Sequence, residues 1–204
     1  FGSDALGGAI YLQTKVAKLL SQNENKKWSG NVMSNYTSVN EGKSAHVDLN
    51  YASQQWASLS SVSFNEFGDL KMGKKRNGSN AFFGERPFYI ETINGVDQQV
   101  SNDNKYVQKF SGYKQYDFMQ KVVYQPKLNV THSLNLQYST TSDIPRYDRL
   151  TDLNSNGNLR SAVWKYGPQK RFLSIYKITK DQVFKNTKMN LNVSYQNVEE
   201  SRIN

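Results

Sequence analysis

Cysteine is absent from the 204 residues, and histidine occurs only twice. Disulfides, thiolate nucleophiles and cysteine-ligated zinc or iron–sulfur sites are therefore excluded, and metal chemistry built on imidazole is thin. No apolar run approaches the ~18–20 residues of a membrane helix, so a membrane span here can only be built from strands. No segment of useful length carries a helical period. Asp and Glu are not paired on a recognisable scaffold, and no Ser has a His/Asp setting. General acid–base and nucleophilic catalysis thus lack a constellation, and the chain reads as a non-enzyme without a cofactor or metal site. Only 37% of residues are apolar and only four are Pro. Charged residues are nevertheless a modest 21% and aromatics a generous 13%, which does not fit a disordered chain.

What is present is Tyr, Asn and alternation. There are 13 Tyr and 22 Asn. In Ala45-His46-Val47-Asp48-Leu49-Asn50-Tyr51 the apolar side chains take every second position. Val130, His132, Leu134, Leu136 and Tyr138 alternate with Thr131, Ser133, Asn135, Gln137 and Ser139. Met189, Leu191, Val193 and Tyr195 alternate with Asn190, Asn192, Ser194 and Gln196. Each is a strand with one dry and one wet face. Weaker patterns at 28–39, 56–65, 116–125 and 170–180 bring the expectation to about seven strands of roughly 9–12 residues. The fold class expected is all-β and antiparallel.

The connections carry the next signal. Residues 40–43, 53–55, 126–128 and 181–186 are short, whereas 66–115 and 141–169 are long. From the second turn onward, short and long alternate. A compact soluble domain rarely holds a loop of about fifty residues. Outer-membrane barrels combine ~10-residue strands, short turns at one end and long loops at the other. Tyr36, Tyr51, Trp56, Tyr124, Tyr138 and Tyr195 lie towards strand ends, where an aromatic girdle belongs. A soluble β-sandwich or surface β-repeat would also alternate, but it accommodates the long connections poorly.

The net charge of +9 is scattered rather than gathered on one element, so nucleic acid is not an expected partner. The densest cluster, Lys74-Lys75-Arg76, is flanked by Asp69 and Glu85 and reads as a solvated loop. His46 falls on a polar face beside Asp48 and reads as a wall residue. His132 falls on an apolar face near its strand's start, as a membrane-interface residue would. Glu41-Gly42-Lys43-Ser44 lacks the earlier Gly and the following helix of a phosphate-binding loop. Sequons at Asn35, Asn77, Asn129 and Asn192 are the chance product of an Asn-rich chain. The long loops hold the recognition chemistry, aromatic side chains beside Arg. The first carries Phe82, Phe83, Arg86, Phe88, Tyr89 and Tyr106; the second carries Arg146, Tyr147, Arg149, Arg160, Trp164, Lys165 and Tyr166. Candidate ligand-facing residues are Phe83, Arg86, Tyr89, Arg146, Tyr147, Arg149, Trp164 and Tyr166.

The opening, Phe1-Gly2-Ser3-Asp4-Ala5-Leu6-Gly7-Gly8-Ala9-Ile10-Tyr11-Leu12-Gln13-Thr14-Lys15, resembles the end of the plug domain of TonB-dependent outer-membrane receptors. Gly2, Ser3, Gly7 and Gly8 form the structural plug-end motif, with the glycines permitting tight turns and close packing. Arg146-Tyr147-Asp148-Arg149-Leu150, Trp164-Lys165-Tyr166-Gly167-Pro168-Gln169-Lys170-Arg171 and Glu199-Glu200-Ser201-Arg202 resemble the haem, haemoglobin and transferrin receptor group of Bacteroidota.

The resemblance implies a partial transmembrane antiparallel β-barrel preceded by the last plug strand. It supplies about seven of roughly 22 strands. Residues 1–15 would end the plug, 16–27 would link it to the barrel, and 28–204 would be the barrel's N-terminal part. The loops at 66–115 and 141–169 would lie outside, and the turns at 53–55, 126–128 and 181–186 in the periplasm. The chain starts at Phe1 and stops just past a strand pattern, which reads as a piece of a longer chain. The implied partners are outer-membrane lipid, TonB through a segment not in this sequence, and an extracellular ligand. The implied function is active import of a scarce substrate, with haem or another iron chelate as transported ligand. A passive porin and a surface β-rich binding protein or adhesin are the alternatives.

Overall fold

The computed structural model describes residues 13–21, 23–73, 75, 82–150, 152, 154–157 and 160–203, save the side chains of Tyr147 and Asp148. The plug-end residues Gly2, Ser3, Gly7 and Gly8 fall outside the described residues, as do Lys74 and Arg76.

Seven long strands carry the architecture: β1 (Lys27–Thr37), β2 (Gly42–Ala52), β3 (Trp56–Phe67), β8 (Tyr113–Lys127), β9 (Val130–Thr141), β11 (Lys165–Asp181) and β12 (Lys188–Ile203). Each pairs antiparallel with the next, so the sheet is one meander, extended by the two-residue β10 (Ile144–Pro145) on β11. The all-β, antiparallel expectation holds, and every alternating segment is a strand. The strands run longer than expected, up to 17 residues in β11. The sheet does not close on itself: among the described residues β1 and β12 each have one unpaired edge.

Register sorts the side chains into two faces. On one, Trp28 faces Tyr51, Val32 faces Val47, Val62 faces Phe118, Val122 faces Leu134 and Tyr176 faces Val193. On the other, Asn31 faces Asp48, His46 faces Ser63, Asp117 faces Ser139 and Lys177 faces Asn192. The apolar face is open to its surroundings, with Val32 82% and Leu191 53% exposed. The Gln120 amide, midway along β8, is contained within the face. Ser60 Oγ donates to Gln120 Oε1 at 2.6 Å, and Gln120 Nε2 donates to Ser58 Oγ at 2.8 Å.

Aromatic rings border the apolar face at both strand ends. At the end with short turns, Trp28 packs on Tyr51 at 4.8 Å and Trp56 stacks on Tyr124 at 4.0 Å. His132 continues this row between Tyr124 and Tyr176, and its Nδ1 lies 2.6 Å from Tyr176 Oη. At the opposite end Phe64 packs on Tyr116 at 5.0 Å and Phe172 on Tyr195 at 6.3 Å. Trp56 and Phe64 are eight residues apart on β3, about 27 Å along the strand at ~3.4 Å per residue.

The long connections gather at one end of the meander, because consecutive strands alternate in direction. They are more structured than featureless loops. Within 68–112 lie β4 (Leu70–Lys71), β5 (Phe88–Ile93), β6 (Val96–Ser101) and β7 (Val107–Gln108), and within 142–164 lies the four-residue helix α1 (Tyr147–Leu150). β4 pairs with β7 at the base of the first loop. There Asp69 Oδ1 accepts the Ser111 and Gly112 amides at 2.8 and 3.2 Å. A Cβ on Gly112 would meet the Phe67 carbonyl oxygen at 2.6 Å, so this base requires glycine. Lys71 Nζ reaches the Glu41 carboxylate and ties the large loop to the turn between β1 and β2. That hydrogen bond, with the Lys71 charge, holds the Glu41 carboxyl below its ordinary value. A depressed carboxylate pKa means the tie persists above the ordinary glutamate range and is lost as pH falls through the lowered value. An NMR titration should place the Glu41 midpoint below that of an unpaired glutamate.

The β5–β6 hairpin turns at Asn94-Gly95, with φ of 54° and 78°. Both central residues are left-handed, as a type I′ turn needs. Gly95→Val should cost about 1–2 kcal/mol. Amide exchange across β5 and β6 should then accelerate about tenfold while β8 and β9 keep their protection.

Candidate functional site

Two places on the polar face gather chemistry, one towards each end. The first is a docking site for residues 13–21. Their backbone is anchored where Leu20 N–H donates to the Ser53 carbonyl at 2.9 Å. Ala17 is 5% exposed and packs with Ala57 at 1% and Leu59 at 0%, backed by Leu19, Met119 and Val123. This small apolar core exists only because the segment covers β3 and β8. Small side chains at Ala17 and Ala57 permit the close approach.

A single carboxylate organises the polar contacts. Asp48, 6% exposed, accepts Lys15 Nζ at 2.7 Å, Asn31 Nδ2 at 3.1 and 2.9 Å, and Asn50 Nδ2 at 2.8 Å. His46 Nε2 lies 3.7 Å from its other oxygen, and His46 Nδ1 bonds Ser63 Oγ at 2.8 Å. His46 thus sits within a polar network on this face. Across the segment, Lys121 Nζ donates to Thr14 Oγ1 and to the Lys15 carbonyl, both at 2.7 Å. One anion and one cation of this face therefore hold the same short stretch of chain, Asp48 by accepting the Lys15 side chain and Lys121 Nζ by donating to the Thr14 hydroxyl and the Lys15 carbonyl.

The second place is the long-loop end. Arg146, Arg149, Trp164 and Tyr166 come together there, as four of the eight ligand-facing candidates. Arg146 lies between β10 and α1, and its N–H donates to the Trp164 carbonyl at 2.8 Å. Its guanidinium sits 4.7 Å from the Trp164 ring centre and donates to Tyr166 Oη at 3.0 Å. That bond, opposed by partial desolvation and reinforced by Arg202, holds the Tyr166 phenol below its ordinary value. Tyr166 lies six residues outward of Phe172, beyond the aromatic row. The arginine of α1's last turn, Arg149, stands 5.6 Å from the same indole and pairs with Asp152 at 3.3 Å. Tyr147 belongs to α1, and its side chain is outside the described set.

The other candidates are dispersed. Phe83 is 79% exposed on the first loop beside Phe82 at 78%. Arg86 takes part in that loop's framework, its N–H donating to the Lys105 carbonyl at 2.7 Å and its own carbonyl accepting Asn102 Nδ2 at 2.8 Å. Tyr89 meets Phe110 edge-on at 5.4 Å. Among the described residues no group of three His, Asp or Glu side chains could hold a metal ion, and no helix is long and apolar enough to cross a membrane.

Sequence reasoning missed two things. Asp48 was visible only as the neighbour of His46, although a lone carboxylate on an otherwise Asn- and Ser-rich face was the available signal. Arg202 was noted within a motif block and not as a member of the cluster it joins. Compared with known proteins, the chain matches no family model, no curated protein and no solved structure.

The docking contacts are testable. Asp48→Ala leaves Lys15, Asn31 and Asn50 without their shared acceptor, and hydrogen bonds to a charged group contribute about 1.5–3 kcal/mol each. Tryptic cleavage after Lys15 and Lys18 should accelerate at least about tenfold, with the β9–β11 ladder still protected from exchange.

Proposed function

We propose that this chain forms part of a TonB-dependent outer-membrane receptor. Its seven long strands are a stretch of wall in a larger transmembrane barrel, with residues 1–15 closing a plug and 16–27 joining plug to barrel. The observation that carries this reading is a polar sheet face occupied by a docked segment, on a sheet whose opposite face is apolar and bordered by aromatics at both ends. Such a sheet suits lipid outside and a filled, polar lumen inside. The contained Gln120 amide supports it too, since an unsatisfied polar group facing hydrocarbon is expensive. So do the unpaired edges of β1 and β12, which lipid would not tolerate and further strands would pair.

In this reading the end with long loops faces outward and the short turns at 53–55, 128–129 and 182–187 face the periplasm. Ligand binds among the loops, and energy relayed through TonB drives its import, with no covalent chemistry in the chain. The transported substrate we propose is haem or another iron source. A passive porin would need no segment docked on its inner wall. A surface adhesin would need no apolar outer face.

A paired substitution tests the membrane claim on the protein that contains this chain, folded into liposomes. Val62→Arg puts a charge in the middle of the apolar face and should cost about 2–4 kcal/mol in denaturant unfolding. Ser61→Arg puts it on the polar face one residue away and should cost well under half of that. Equal effects would overturn the barrel reading. Haem-dependent growth under iron limitation, lost on deletion of the protein, then tests the substrate.

A further inference from the structure

A cleft of about 510 Å³ opens on the polar face between the docked segment and the long loops. Met119 marks its inner limit, lining the cleft while also backing the core of Ala17, Ala57 and Leu59. Register builds the middle of the cleft. Asp117 of β8 pairs with Ser139 of β9, Ser139 with Arg171 of β11, and Arg171 with Val198 of β12. Residues paired in this way share a face, so the four side chains form one row across four strands. All four line the cleft.

The row carries opposite charges that do not meet. Asp117 and Arg171 are two strand spacings apart, about 10 Å at the backbone. Ser139, between them, donates to Asp117 Oδ1 at 2.6 Å, and Gln115 Nε2 donates to both carboxylate oxygens at 3.1 Å. Both donors are neutral, so they aim the carboxylate without cancelling its charge. Among the described residues neither Asp117 nor Arg171 has an ion-pair partner. Two residues outward of Val198 on β12, Glu200 adds a second carboxylate to the cleft.

This arrangement selects a ligand by its pattern of charge. A simple anion would meet Arg171 but be repelled by Asp117 and Glu200, and a simple cation would meet the reverse. A molecule carrying both signs answers the two ends at once. In an α-amino acid or dipeptide the ammonium donates to Asp117, the carboxylate accepts the guanidinium fork, and an apolar side chain lies on Met119 or Val198. One or two residues span about 3.5–7 Å, and a hydrogen bond of about 2.9 Å at each end brings the reach to about 9–13 Å, which brackets the strand separation.

We propose that the cleft between Asp117 and Arg171 is a binding site for a small zwitterion of the amino-acid or dipeptide kind. The proposal rests on the membrane reading only in taking this face to line an aqueous space, and it is independent of haem as the transported substrate.

The test uses the protein that contains this chain, purified in detergent, with leucine and alanylleucine as probes read by calorimetry. Heat modifiability of the preparation tests the membrane reading, and the titration tests the site in whichever form the protein folds, so either can fail alone. Expected is saturable binding of at least one probe, weakened about tenfold or more by Asp117→Asn and by Arg171→Gln. Acetylating the amine of the bound probe should weaken its binding to the parent about tenfold and make no further difference in Asp117→Asn. Amidating its carboxylate should likewise weaken binding to the parent and make no further difference in Arg171→Gln. Lys177→Gln, which removes an exposed cation of β11 on the same face outside the cleft, should leave affinity unchanged. Absence of saturable binding would overturn the proposal. So would a probe blocked at both ends that binds as tightly as the free one, or a loss in Lys177→Gln equal to that in Arg171→Gln.

Discussion

Everything in this molecule depends on an antiparallel ladder that holds its register across seven long strands. Side chains on a strand alternate faces, so a slip of one residue would exchange wet and dry along the whole strand. The ladder keeps Val32 against Val47 and Asn31 against Asp48, and the same relation repeats to Tyr176 against Val193 and Lys177 against Asn192. From that single relation come an apolar surface bordered by rings, a polar surface rich in amides and hydroxyls, and the separation of short turns from long loops. The fully buried side chain of Leu59 is a local consequence, produced where another part of the chain lies across the sheet.

How much of this was legible follows the range of the interactions. The period of two is local, and it placed all seven long strands, including the weakly patterned 28–39 and 170–180. The substructure of the first loop was partly legible and was passed over. Asn94-Gly95 between Phe88–Ile93 and Val96–Ser101 is a strong hairpin signal, hidden by reading the whole stretch as connection. The β4–β7 base could not have been seen, because Asp69 and Ser111 meet across about forty residues with no period to announce it. The candidate site divides in the same way. Arg with aromatic composition pointed to Arg146, Arg149, Trp164 and Tyr166, which do assemble. It pointed equally to Phe83, Arg86 and Tyr89, which take up separate positions. Composition marks the material, and only tertiary contact sorts it.

The docked segment and the arginine cluster use charge differently. Asp48 is nearly enclosed and answered on several sides by donors, so it orders a piece of chain. Arg146, Arg149 and Arg202 are arranged about the Trp164 ring, drawn from three separate segments of the chain. The first arrangement fastens a crossing segment to the sheet, and the second gathers distant segments around one ring. Their separation along one sheet, near the short turns and near the long loops respectively, gives that sheet a direction.

The unequal strands give it a shape as well. Past the outward aromatic row, β1 continues one residue beyond Tyr36, whereas β12 continues eight beyond Tyr195. At ~3.4 Å per residue the difference is about 24 Å. Beyond the rings the sheet is therefore uneven, short at β1 and long at β12, with Arg202 and Tyr166 on the longer flank. That longer flank is stiffened by paired backbone rather than by loop, so the side chains it carries are held on a ladder while their neighbours ride on connections.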